Sequence, residues 1–363
     1  MKVTFPHAGQ AWVPLSTVFG KAGVECIVPP PTSKRTLALG VKYSPEWVCL
    51  PFKMNLGNFI EAMEMGADTL AYVSGSGLCR LGYYSKVSDQ ILRDAGYEFE
   101  MVTFDWQETG VMGLANFFRR VLPDRPLRQI AGDIKFGLSQ LKTMDDLERM
   151  THRLRPRADN PVEITRIWRT AGERIARAWS PADLKRARAE LVDEFNSVPL
   201  NPYADPLRVG LLGEFFMVVE SFVNMDVEDR LGRMGVEVHR HAYFGDWART
   251  WLFMEAIGLS HGKKVKKAAA PYLSRDVSGD AVQTVGETIL HQQEGFDGIL
   301  HLLPFTCMPE IIAQNVMPTV TRDFSIPVLS IVLDEQLGQA GFITRIEAFV
   351  DLMNRRRTVK RAS

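Results

Sequence analysis

Thr69-Leu70-Ala71-Tyr72-Val73 runs directly into Ser74-Gly75-Ser76-Gly77-Leu78-Cys79-Arg80-Leu81-Gly82-Tyr83-Tyr84, and the fold is read from this junction. The first five residues form a short apolar run, the signature of a buried strand. The Gly- and Ser-rich stretch after them suits a tight turn, and Tyr84–Ala95 reads as the helix that follows. The same alternation surrounds the junction. Val3–Phe5 is a candidate strand, Trp12–Ala22 a helix ending at Gly23, and Val24–Val28 a strand closed by Pro29-Pro30-Pro31. Phe52–Met65 has helical spacing at Phe52, Leu56, Phe59, Ile60 and Met63 and stops at Gly66, and Glu98–Thr103 is a further strand. Strands alternating with helices of this length imply a parallel sheet with helical crossovers.

The strand signal is absent from Gly110 to Asn201, where Arg, Glu, Leu and Ala dominate, as in Arg186-Ala187-Arg188-Ala189-Glu190-Leu191. This stretch reads as amphipathic helices with solvated charged faces, ending at Pro199-Leu200-Asn201-Pro202 and Pro206. Alternation then resumes with strands at Arg208–Gly213, Glu237–His239, Gly298–Leu303 and Val328–Leu333. Helices are expected at Asp226–Met234, Phe244–Ile257, Val282–Glu294, Met308–Asn315 and Phe342–Arg355, and the basic tail Arg355–Ser363 as a solvated end. The expected architecture is α/β: two Rossmann- or flavodoxin-like parallel-sheet lobes, residues 1–110 and 206–363, with a helical insertion over 111–205.

Composition narrows the function. The 363 residues are 46% hydrophobic and carry 43 basic against 43 acidic groups, so no global field draws nucleic acid. The N-terminus Met1-Lys2-Val3-Thr4-Phe5-Pro6 lacks the blocks of a signal peptide, and no apolar run reaches the ~18 residues of a membrane span. The chain therefore reads as cytoplasmic, where cysteines stay reduced and serve as buried, catalytic or metal-binding groups.

Three of the four cysteines, Cys49, Cys79 and Cys307, fall where a strand or loop hands over to a helix. A helix start favours a thiolate through its amides and dipole, readying it for metal or redox work. Cys79 and Cys307 follow expected strands, and ligands of open parallel sheets sit beyond the carboxyl ends of strands. Cys49 precedes Pro51, a residue suited to a helix's first turn. If the lobes face each other, all three thiolates can meet in the cleft. A buried small hydrophobe is the alternative for each cysteine taken alone, and Cys26, inside an apolar strand, reads as inert core. Zinc prefers closely paired cysteines, which do not occur here, and the wide separation also departs from ferredoxin spacing. Spacing leaves the metal open.

The segments Pro29-Pro30-Pro31-Thr32-Ser33-Lys34, Ser44-Pro45-Glu46, Cys49-Leu50-Pro51-Phe52-Lys53, Gly57-Asn58, Gly66-Ala67-Asp68 and Ser74 through Tyr84 resemble the 2-hydroxyacyl-CoA dehydratase superfamily. They are most similar to its branch labelled acyl-CoA dehydratase activase-related, or CoA protein activase. Pro304-Phe305-Thr306-Cys307-Met308-Pro309-Glu310, Asp334-Glu335 and Thr344–Phe349 extend the resemblance over nearly the whole chain, weakest in the helical insertion. The resemblance implies a [4Fe–4S] cluster on three cysteines, with one iron open to water or a substrate thioester carbonyl. It further implies a separate ATP-hydrolysing activator of the actin-like fold that injects an electron at low potential. Carried onto this chain, the ligands are Cys49, Cys79 and Cys307. The chain shows no phosphate-binding loop of its own, so ATP hydrolysis falls to the activator. Acyl-CoA is the implied substrate class, and a homodimer or heterodimer the implied assembly. An electron-relay protein without its own substrate is the alternative, and a scaffold with incidental cysteines a third reading.

Around these cysteines, Ser76 and Gly77 can aim backbone amides at sulfide or thiolate. Arg80 and Lys53 can offset cluster charge or hold an anion, and Glu46 and Glu310 can move protons, although Glu310 also suits a helix cap. His301 reads as a buried, hydrogen-bonded strand histidine, and the alternating His239 and His241 as a weak metal signal. Leu212-Gly213-Glu214-Phe215-Phe216 opens like a nucleotide fold without G-x-G-x-x-G.

Overall fold

A computed structural model describes residues 1–74, 79–122, 125–249, 262–336 and 338–362. The chain divides into two compact units, Met1–Leu141 and Lys142–Ser363, so the helical stretch expected over 111–205 is shared between them. In the first unit the order is β1 (Lys2–Thr4), α1 (Trp12–Lys21), β2 (Glu25–Cys26), α2 (Lys34–Tyr43), α3 (Leu50–Glu64), β3 (Thr69–Ser74), α4 (Leu81–Asp94), β4 (Glu100–Asp105) and α5 (Trp106–Val121). Helix α6 (Leu127–Leu154) runs across the division, and α7 (Pro161–Ala176) and α8 (Pro181–Ser197) follow it. The second unit continues with β5 (Leu207–Gly213), α9 (Phe215–Val219), α10 (Val227–Arg233), β6 (Val236–Arg240), α11 (Phe244–Arg249) and α12 (Lys263–Ala269). It closes with α13 (Ala281–Gln293), β7 (Gly298–Pro304), α14 (Met308–Phe324), β8 (Val328–Leu333) and α15 (Gln339–Ala362).

Each unit holds a four-stranded sheet, ordered β2-β1-β3-β4 in the first and β6-β5-β7-β8 in the second, with every pairing parallel. The expected α/β class with two parallel-sheet lobes is thus present. The shared order 2-1-3-4 reverses between its first and third strands, which makes the carboxyl ends of β1 and β3, and of β5 and β7, the topological switch points.

The period of two in β3 divides the core of the first unit. Ala71 packs with Val3, Phe5, Val18, Phe19 and Val102, while Leu70 and Tyr72 pack with Phe52, Leu56, Phe59, Ile60 and Leu92. Helix α3 is buried from Leu50 through Ala62, a helix enclosed on all sides rather than amphipathic. It lies against α2, which is anchored by a capping box between Ser33 and Thr36. The two helices approach to backbone contact at two glycines. A Cβ on Gly40 would lie 1.8 Å from the Lys53 carbonyl oxygen, and one on Gly57 2.0 Å from that of Thr36. This crossing fixes the first turn of α3, where Cys49 sits.

The structure corrects two expectations. The basic tail is exposed as expected, Arg357 excepted, but it is helical: α15 runs past Arg355 to Ala362, and Arg357 pairs with Asp297 at 2.5 Å and with Asp205 at 3.4 Å. Helix α14 also runs past Asn315 to Phe324, with Pro318 inside it. Of the helix expected over Phe244–Ile257, residues 250–257 lie outside the described residues.

Candidate functional site

In the first unit the site is built on the starts of α3 and α4. Cys49 is the N-cap of α3 in an extended conformation (φ −73°, ψ 158°), with Pro51 in the first turn behind it. Cys79 immediately precedes Arg80, the N-cap of α4, beyond the carboxyl end of β3. Tyr84 projects from the first turn of α4, is 5% exposed, and packs edge-on against Phe52 of α3 with centroids 4.8 Å apart. Its hydroxyl is hydrogen-bonded to Cys49 Sγ. Tyr72 of β3 accepts a hydrogen bond from Asn55 Nδ2 at 2.9 Å. Burial pushes both phenols well above the ordinary tyrosine range, and the neighbouring Cys49 and Cys79 sulfurs push them further. The Tyr84 hydroxyl thus links the start of α4 to Cys49 at the start of α3.

Two cations hold the Cys49 loop. Arg80 donates from Nη1 to the Trp47 carbonyl at 3.0 Å and stacks over the Trp47 ring at 5.5 Å, tying the Cys79 turn to the Cys49 segment. Lys53 is only 2% exposed and donates from Nζ to the Glu46 carbonyl at 3.3 Å. The Glu46 residue itself is exposed. Ser76 and Gly77 lie outside the described residues. Cys26 is partly buried against the Val3 and Val18 core, and burial pushes its thiol up to about 12, in keeping with an inert core thiol.

In the second unit, Cys307 repeats the geometry of Cys49. It is the N-cap of α14 in an extended conformation (φ −74°, ψ 104°), and Pro309 stands where Pro51 stands in α3. In the topology it matches Cys79, because each follows the third strand of its sheet. Glu310, in the first turn of α14, is fully buried. Its Oε2 lies 2.7 Å from His301 Nε2 and accepts from Thr284 Oγ1 at 3.1 Å. His301 Nδ1 lies 3.0 Å from Ser330 Oγ, so both ring nitrogens are hydrogen-bonded within the protein, as the sequence implied. The Glu310 carboxyl is thus engaged by its neighbours and has no surface at which to meet a solute.

Two carboxyls at this edge were not singled out in the sequence. Glu214 follows the exit of β5 at Gly213, whose φ of +130° and close approach to the Leu302 carbonyl admit only glycine. Its Oε2 accepts from the Met217 amide at 3.0 Å. Asp280, the N-cap residue of α13, accepts from the Phe215 amide at 3.0 Å. Burial and then Asp280 push Glu214 up to about 8, and burial and then Glu310 push Asp280 up to about 7. The sequence signal was positional: a lone acid at a strand exit and another before a helix, both at the switch point. His239 and His241 do not form a pair. His239 Nε2 lies 2.8 Å from Glu237, and His241 Nδ1 lies 3.4 Å from the Leu211 carbonyl.

A second polar cluster lies elsewhere in this unit. Glu148 of α6, His152 of α6 and Glu228 of α10 offer ligand atoms within 4.8 Å of one another. Arg240 of β6, 2% exposed at its side chain, ion-pairs with both carboxylates, and His152 Nε2 lies 3.3 Å from Glu228. Burial alone would raise Glu228, but Arg240 and His152 outweigh it and hold the carboxyl at about 2. The guanidinium already fills the place of a cation, so this cluster is a structural ion network.

No protein-family model matches the chain, and no curated protein matches it. Among the described residues, no helix is long and apolar enough to cross a membrane.

Proposed function

We propose that the protein holds one [4Fe–4S] cluster through Cys49, Cys79 and Cys307 and serves as a component of reductive chemistry on a CoA thioester or related small molecule. In this reading it acts as 2-hydroxyacyl-CoA dehydratase subunits do and receives its electron from an ATP-dependent activator of the actin-like fold. The observation that carries the reading is the repeated cap. Cys49-Leu50-Pro51 and Cys307-Met308-Pro309 each place a cysteine at the N-cap with proline behind it, and Cys79 stands one residue before the cap of α4. A helix start surrounds sulfur with amide dipoles that favour the thiolate, the form that binds iron.

The donor set fits the group. All four cysteines lie outside disulfides, and the two proposed ligands of the first unit stand at the starts of α3 and α4, which pack against each other through Phe52 and Tyr84. When bound, such a cluster supplies one-electron chemistry and, at an iron with only three protein thiolates, a Lewis-acid site. The chain's own residues do the positioning. Lys53, buried, holds the Glu46 carbonyl ahead of Cys49, and Arg80 clamps the Cys49 segment to the Cys79 turn. Exposed aromatics accompany each cysteine: Trp47 at 62%, Tyr83 at 64% and Phe305 at 58%, surfaces suited to a ligand or partner.

Electron paramagnetic resonance on anaerobically purified, reduced protein tests the substrate half of this proposal. Addition of acyl-CoA is expected to change the cluster's signal. A full cluster that ignores every acyl-CoA tried would contradict a catalytic role and assign the chain to electron relay.

A further inference from the structure

We propose that Tyr84 is a positioning residue that sets the reduction potential of the cluster by donating its hydroxyl hydrogen to Cys49 Sγ; the inference rests on the cluster reading above. Two features prepare this side chain for that single bond. Its ring is held edge-on against Phe52 at an interplanar angle of 73°, and Phe52 is itself 1% exposed in the first turn of α3. The ring therefore bridges the starts of the two helices that carry Cys49 and Cys79. Tyr84 is 5% exposed, so little water competes for its hydroxyl.

The nearby Tyr72 is a natural control. It is equally buried, but its hydroxyl accepts from Asn55 Nδ2. A hydrogen bond to a ligand sulfur stabilises the more negative, reduced cluster more than the oxidised one, because charge-assisted hydrogen bonds strengthen with acceptor charge. Removing the donor should therefore make the cluster harder to reduce. The effect acts on the electron-accepting step alone and leaves the iron ligands in place.

The test compares wild type, Tyr84→Phe and Tyr72→Phe, each full-length and purified anaerobically. Iron and sulfide are measured per chain, followed by a redox titration monitored by electron paramagnetic resonance. Tyr84→Phe keeps the ring and its packing on Phe52 and deletes only the hydroxyl. The expected result is unchanged iron with a midpoint shifted to more negative potential, so that at the wild-type midpoint the ratio of reduced to oxidised cluster falls roughly tenfold. Tyr72→Phe should leave the midpoint within a small fraction of that shift. Full iron with an unmoved midpoint in Tyr84→Phe overturns the role of Tyr84 and leaves the cluster reading standing. Loss of iron in that variant also overturns it, because Tyr84 would then hold the metal site together rather than tune it. Iron-free wild type removes both.

Discussion

Cys49 and Cys307 share more than a residue type: both cap a helix from an extended backbone, and both are followed two residues later by proline. Their surroundings differ. Cys49 meets a phenol and sits in a loop held by Lys53 and Arg80, whereas behind Cys307 stands the fully buried pair His301–Glu310. The pair is structural in its immediate effect, since both partners are hidden and each holds a second hydrogen bond. Glu310→Ala is expected to cost about 3 kcal/mol in denaturant unfolding by orphaning the imidazole. Glu310→Gln keeps an acceptor toward His301 and should cost about 1 kcal/mol. Equal losses in the two variants would show that side-chain volume, not the hydrogen bond, matters here. Neither variant should change iron content.

At the scale of elements, the crossing of α2 and α3 is the feature on which the Cys49 cap depends. Gly40→Ala and Gly57→Ala each drive a methyl into a backbone carbonyl that no side-chain rotation can move aside. Each is expected to cost about 2 kcal/mol or more, read as a lowered denaturation midpoint, and Gly40→Ala should also displace the turn bearing Lys53 and Cys49. Stability unchanged by Gly40→Ala would mean that the helices can separate freely. Much of this architecture was legible from residues. The strands around Thr69 and Gly298 declared themselves as apolar runs, and the cysteines fell where runs give way to helices. Helix α2 was not legible, because Lys34-Arg35-Thr36 offers little apolar period and the proline run before it reads as loop; its signal was the Ser33–Thr36 cap. Helix α14 was read too short because Pro318 resembles a stop, yet only one backbone donor is lost there. Glu214 and Asp280 were missed because a carboxyl's burial is a property of packing, invisible in a sequence that places each acid beside a glycine in an apparent loop.

For the molecule as a whole, buried carboxyls give stability a definite pH dependence. Glu214, Asp280 and Asp145 are pushed up, chiefly by burial, to about 8, about 7 and about 7. A carboxyl raised in the fold keeps a proton that the unfolded chain releases near pH ~4. Its contribution is therefore complete below that value and is lost as pH rises through 7 to 8. Glu228 and Glu237, held at about 2 by Arg240 and His152 and by His239 and Arg157 against the cost of burial, contribute a constant amount over that window. Urea unfolding should accordingly show lower stability at pH 8 than at pH 5. The double variant Glu214→Gln, Asp280→Asn should flatten the difference; a stability that rises from pH 5 to pH 8 would contradict the placement of these acids. The functional account rests on sulfur ligation, and quantitative iron and acid-labile sulfide analysis of anaerobically purified protein tests it most directly. The account predicts about four irons and four sulfides per chain, lost in Cys49→Ser, Cys79→Ser and Cys307→Ser but retained in Cys26→Ser. Iron-free wild-type protein, or iron content indifferent to Cys307→Ser, would contradict it.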